Sequence, residues 1–222
     1  MSQSYPYQPI LLRILHGGIA LLTVLALISG FWVYNTYDQR WGRFALPNLS
    51  DIQGIHGTIA LTLLLVLPFF SLYSLRLGYR RLIQQQSWSQ LKQFGKPVWW
   101  ISLHRLINTF MLLTLTFAVV TGRMMKEEWL PAGETDRPWY IAHLVSWLCV
   151  FIGLTFHLLL GAKVGGFPLL ISMFNWSKRE DDQPRSWLKK LNHKRSNALL
   201  TMIEIIVIGG IIAAFILPVF NL

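Results

Sequence analysis

His143 and His157 stand fourteen residues apart inside one apolar run, Trp139 to Gly161. Fourteen residues of α-helix make nearly four turns, roughly 21 Å of rise at about 1.5 Å per residue, with both imidazoles within roughly 40° of one face. That spacing sets one nitrogen ligand near each surface of a bilayer. Imidazole is costly in hydrocarbon unless something satisfies it, so a pair on one face needs a chemical reason. Low-spin haem iron takes two axial nitrogens, and with both positions filled it moves electrons without opening a site to oxygen. Two stacked iron porphyrins, each completed by a second histidine from another helix, would use both rings.

The elements that must carry these rings are membrane helices. The chain has 222 residues, 53% of them hydrophobic and only 14% charged, a balance outside the range of soluble domains. Five apolar stretches approach the length needed to span a bilayer: Ile10 to Val33, Ile52 to Leu75, Val98 to Thr121, Trp139 to Gly161 and Leu199 to Phe220. The first is longer than a secretory leader and lacks a small-residue cleavage site. What lies between the stretches is too short to fold alone. An all-α membrane protein is expected, a four-helix transmembrane bundle plus an additional C-terminal transmembrane helix.

Charge sets the direction. With the N-terminus inside, the inner side holds Arg13, Arg76, Arg80, Arg81, Lys92, Lys96, Arg105 and Lys163, together with seven basic residues between Lys178 and Arg195. The outer side holds Arg40, Arg43, Arg123, Lys126 and Arg137. Fifteen against five is a strong positive-inside bias. It predicts an integral multi-pass protein with a cytoplasmic N-terminus and the C-terminus outside, in a bacterial inner membrane or equally a photosynthetic one. The net charge of +10 is therefore read as contact with anionic lipid head groups, not nucleic acid.

Orientation gives each histidine a depth. His16 in the first helix and His157 fall at the inner level; His56, starting the second helix, and His143 fall at the outer level. The expected pairs are His56 with His143 and His16 with His157, four metal ligands for two haems. No Cys-x-x-Cys-His is present, which implies b-type haem. Zinc is disfavoured, because four ligands would have to converge on one point. Gly17, Gly18, Gly57, Gly153 and Gly161 stand near the ligands and would let a flat macrocycle approach the backbone, although glycine also serves helix packing. A short echo, Ala26 to Gly30 (Ala-Leu-Ile-Ser-Gly) against Ala118 to Gly122 (Ala-Val-Val-Thr-Gly), closes the first and third helices.

With these residues in place, the chain resembles the di-haem b-type cytochromes that serve as membrane subunits of bacterial formate dehydrogenases and nickel–iron hydrogenases, with stand-alone relatives. The resemblance covers about residues 8 to 163. It rests on Arg13-Ile-Leu-His16, on His56, and on His143-x13-His157 followed by Gly161-Ala162. Gly17 stands where members commonly have Trp, and the fifth helix lies outside the four-helix core. The resemblance implies two haem b groups, coupling to a membrane quinone and other redox subunits as partners.

Further residues carry two readings each. His104 and Arg105, at the inner start of the third helix, are either a quinone or haem-propionate contact or an interfacial basic pair, and His104 competes with His16 as inner ligand. Arg13, one turn from His16, is a propionate partner or a snorkelling cation. Glu204 is a proton relay or a boundary acid, and His193 a solvated group. The expected organisation is a cytochrome domain over residues 1–163, an inner interfacial segment (Gly165 to Trp176) with a basic linker over 164–198, and a fifth helix over 199–222. Transmembrane electron transfer coupled to quinone is the leading expectation. A stand-alone oxidoreductase, for instance of the superoxide–quinone type, and a non-redox assembly factor are the alternatives.

Overall fold

The computed structural model describes residues 7–175, 182 and 197–220; His193 and most of the basic linker lie outside them. Five long helices carry the fold: α1 (Ile10–Tyr37), α2 (Ile52–Arg76), α4 (Pro97–Arg123), α5 (Pro138–Ser172) and α6 (Ala198–Ile216), with a short α3 (Ser87–Leu91) in the α2–α4 connection. All five are long and apolar enough to cross a membrane, α6 together with the 3₁₀ turn Leu217–Phe220 that follows it. Leu21, Leu61, Phe69, Leu159 and Ile205 are exposed on their surfaces. Such a band would drive aggregation in water and belongs against lipid tails.

Helix starts follow local chemistry. Pro97 and Pro138 occupy the first turns of α4 and α5, where a missing N–H costs nothing. The Asp51 carboxylate accepts from the Gly54 N–H at 3.2 Å to cap α2, and Asn197 accepts from the Leu199 N–H at 3.1 Å to cap α6. Proline at Pro9 gives α1 no side-chain cap. Its Ile10 N–H donates instead to Asp182, 2.6 Å away, which also accepts from the Tyr7 hydroxyl at 2.5 Å. An anion at a helix N-terminus is favourable, so this contact ties Asp182 to the first turn of α1.

α5 overruns the expected stretch. It continues past Gly161 to Ser172 across a break at Gly166, which adopts φ 63° and ψ −172°. Glycine alone enters that region cheaply, and Pro168 two residues on cannot supply an N–H to the preceding turn. Half of the segment expected at the inner interface is therefore a short helical continuation of α5.

α1 packs along α2 and α4 along α5, and α6 lies against α4 and α2. Leu63, Leu64 and Leu67 of α2, Leu112, Leu115 and Val119 of α4, and Val207, Ile211 and Ala214 of α6 share one core. At Gly210 a β-carbon would stand 2.7 Å from the Thr116 methyl, so glycine is what brings α6 close to α4. Glu204 is not a lone boundary acid: its carboxylate pairs with the Arg76 guanidinium at the end of α2. Both side chains are partly exposed, so the pair is weaker than a dry one but lies beside hydrocarbon. In a double-mutant cycle of Arg76→Gln and Glu204→Gln, each single change is expected to lower thermal stability in detergent, with a coupling of about 1 kcal/mol recovered in the double variant.

Candidate functional site

The connections Asp38 to Ser50 and Met124 to Arg137 meet at one end of the bundle, the outer end of the charge count. Asp38, its side chain 2% exposed, accepts from Arg40 Nε at 2.8 Å and from the Tyr140 hydroxyl at 2.8 Å. Arg40 also donates to the Thr135 carbonyl at 2.5 Å, and Gln53 donates to the Glu127 carbonyl at 2.8 Å. The hydrogen bond to Asp38 raises the Arg40 pKa above its ordinary value and keeps the latch charged. At the other end, Arg81 donates to Gln8 at 2.8 Å, and the backbone N–H of Ile83 donates to Thr109 at 2.9 Å.

Two histidine pairs sit between these ends. The rings of His56 (α2) and His143 (α5) have centroids 6.1 Å apart, and those of His16 (α1) and His157 (α5) 5.9 Å apart. Imidazoles bound on opposite sides of one metal, with nitrogen–metal bonds of about 2 Å, put their centroids about 6 Å apart. Ring–ring contact alone falls in the same range, so orientation must decide.

Orientation is set by the polar partners. The Ser29 hydroxyl has one proton and donates it to the Leu25 carbonyl, 2.7 Å away, one helical turn back. Its oxygen stands 2.9 Å from His56 Nδ1 and, with its own proton on that carbonyl, accepts an Nδ1–H. Thr121 repeats the arrangement: its hydroxyl donates to the Phe117 carbonyl at 3.0 Å, and its oxygen takes the His143 Nδ1–H at 3.1 Å. The Asn108 amide donates from Nδ2 to the Arg81 carbonyl at 3.0 Å, which turns Oδ1 to accept the His157 Nδ1–H at 2.8 Å. Three of the four rings thus keep their proton on Nδ1. Nε2 is left with a lone pair, the form in which imidazole binds a metal.

Space is provided too. A cavity of about 1210 Å³ between α1, α2, α4 and α5 is lined by His56, His143, Gly57, Leu64, Val119 and Trp147. That exceeds ordinary small-molecule sites and admits a macrocycle. Two glycines abut the rings themselves: a β-carbon at Gly30 would lie 3.1 Å from His56 Cε1, and one at Gly122 would lie 3.0 Å from His143 Cε1. Of the glycines singled out in the sequence, Gly17, Gly18 and Gly57 face open space, whereas Gly153 packs against Phe110 and Met111 of α4. The donor set, the lone-pair orientation and the cavity fit haem.

At the inner level His104 (α4) also approaches His157, with centroids 5.6 Å apart, and its Nε2 is buried without a hydrogen-bond partner among the described residues. Arg13 is buried, its guanidinium 5.5 Å from the Tyr7 ring. Arg105 follows His104 on α4 and is half-buried. Sequence reasoning missed Ser29, Thr121, Asn108, Gly30 and Gly122 as neighbours of the rings. The only signal for four of them was the echo between Ala26–Gly30 and Ala118–Gly122.

Against families of known proteins, the one described as prokaryotic cytochrome b561 matches residues 7–176. The chain belongs to the prokaryotic cytochrome b561 family. No curated protein and no solved structure matches it. Family membership makes it an integral membrane, haem-b-binding electron-transport protein, in agreement with the resemblance carried by Arg13 to His16, His56 and the His143–His157 pair. The matched span takes in α1 to α5 and every ring described above, and stops short of α6. Replacing Gly122 by Val is expected to push His143 off its seat and lower the haem-to-protein ratio of purified protein. Gly209→Val, where an added β-carbon meets nothing within 4 Å, is expected to leave that ratio unchanged.

Proposed function

We propose that the protein carries electrons across the membrane through two b haems, an outer one held by His56 and His143 and an inner one held by His16 and His157. The observation that carries this reading is the pairing of rings at two levels with the Nδ1 protons already committed to protein acceptors. Haem supplies one-electron chemistry at each level. The chain supplies the rest: imidazole nitrogens aimed at the iron, acceptors that hold the rings, and an apolar wall that excludes water.

His104 and His16 both lie near His157. Asn108 turns the Nδ1 edge of His157 toward α4, the helix that also bears His104. That supports His16, on the opposite wall, as the inner ligand, and leaves His104 and Arg105 for a quinone head group whose carbonyl oxygens accept hydrogen bonds. Arg13, buried one turn before His16, suits an inner propionate. The orientation that follows from fifteen inner against five outer cations puts the N-terminus in the cytoplasm and quinone exchange at the inner leaflet. A membrane subunit of a larger redox complex, with its partner at the outer loops, suits a chain with no other folded unit among the described residues.

Purified protein reduced with dithionite is expected to show low-spin b-type bands and two haems per chain. His143→Ala and His157→Ala should each remove about half of the haem, by loss of one of two sites. One haem per chain in the parent, or equal spectra in all three proteins, would reject the assignment. For the inner end, His104→Ala is expected to keep both haems and slow reduction by a ubiquinol or menaquinol analogue at least tenfold. Unchanged reduction kinetics would remove His104 from the quinone site.

A further inference from the structure

The echo between the ends of α1 and α4 has a three-dimensional counterpart. Ala26, Ser29 and Gly30 lie on one face of α1 at positions i, i+3 and i+4, and Ala118, Thr121 and Gly122 occupy the same positions on α4. Ala26 and Gly30 of the first set, and Ala118 and Gly122 of the second, line the cavity that holds His56 and His143. In each, the hydroxyl back-bonds to its own helix and accepts Nδ1–H from the histidine of the next helix, 2.9 Å for Ser29 and His56, 3.1 Å for Thr121 and His143. In each, the glycine sits directly under that ring, a β-carbon there being 3.1 or 3.0 Å from Cε1. Two helical hairpins, α1–α2 and α4–α5, thus present the same small-residue seat to the two outer rings.

We propose that these two units are matched positioning seats that fix the outer imidazoles as Nδ1–H donors and set the reduction potential of the outer haem apart from the inner one. The inference rests on the assignment of His56 and His143 as outer ligands. Its physical basis is that a hydrogen bond from Nδ1–H to a neutral oxygen makes the imidazole more basic, which favours ferric iron. With the hydroxyl proton on the carbonyl of Leu25 or Phe117, the oxygen is left as an acceptor for the ring. The other pair differs in number: among the described residues one such bond is present, from His157 to the amide oxygen of Asn108, against two for His56 and His143. The four residues are positioning residues, acting on iron through the rings and touching no substrate.

The test is a potentiometric titration of the full chain in detergent, with electron paramagnetic resonance of the oxidised protein. In Ser29→Ala/Thr121→Val, one of the two midpoint potentials is expected to rise, by about a tenfold shift in the oxidised-to-reduced ratio, which is 59 mV for a one-electron couple. The other should stay put, and only one low-spin signal should move. The component that moves should be the one absent from His143→Ala. The conservative exchange Ser29→Thr/Thr121→Ser should restore the parent titration. Should the double variant lose the outer haem while the conservative exchange retains it, the seat is still supported. Unmoved potentials with both haems present, or equal shifts of both, would overturn it. A parent protein without two low-spin haems would instead overturn the ligand assignment on which it stands.

Discussion

A polar ring inside a hydrocarbon-facing bundle must have every nitrogen answered, and this constraint organises the rest of the molecule. Ser29, Thr121 and Asn108 answer one nitrogen of His56, His143 and His157, each within 3.1 Å. The other nitrogen of each ring is then free for a metal. Direction comes from an economical local rule. A membrane-helix hydroxyl satisfies its own proton on the carbonyl one turn back, as Thr58, Thr114 and Thr116 also do, and becomes a pure acceptor toward its neighbour.

The same constraint dictates where small residues stand. A ring held by a helix hydroxyl lies close to that helix, and only glycine leaves room for it, as at Gly30 and Gly122. Elsewhere glycine draws backbones together for packing alone, as at Gly153 against α4 and Gly210 against Thr116. α6 braces the outside of α2 and α4 through Val207, Ile211 and Ala214, and the Arg76–Glu204 pair ties it to α2. It carries none of the rings, and its contribution is to hold the wall opposite the cavity.

The two ends of the bundle differ in chemistry. One end is closed by an Asp38–Arg40–Tyr140 latch that joins both connections and ties the end of α1 to the start of α5, while Gln53 at the start of α2 donates to the Glu127 carbonyl. At the other end Asn108 and His104 lie against His157, the Arg81 carbonyl accepts from Asn108 while its guanidinium donates to Gln8, and Asp182 accepts from the first turn of α1. Such asymmetry gives the two histidine pairs unlike surroundings.

Much of this was legible in the sequence. Hydropathy located all five helices to within a few residues at most ends, because a span must satisfy its backbone internally and so declares itself by length and apolarity. The fourteen-residue interval in α5 and the charge asymmetry predicted which rings share a level, and in the structure the rings of His56 and His143 lie 6.1 Å apart and those of His16 and His157 5.9 Å apart. Local pattern stopped there. The overrun of α5 past Gly161, the partner of Glu204 and the acceptors for three rings all depend on which helix lies beside which. Residues such as Ser29 and His56, 27 positions apart, meet only through packing. Periodicity encodes one helix and its environment, so the sequence by itself determined the spans and the position of each ring along its helix. Tertiary structure decided which oxygen stands at Nδ1 of His56, His143 and His157, because that oxygen belongs to another helix.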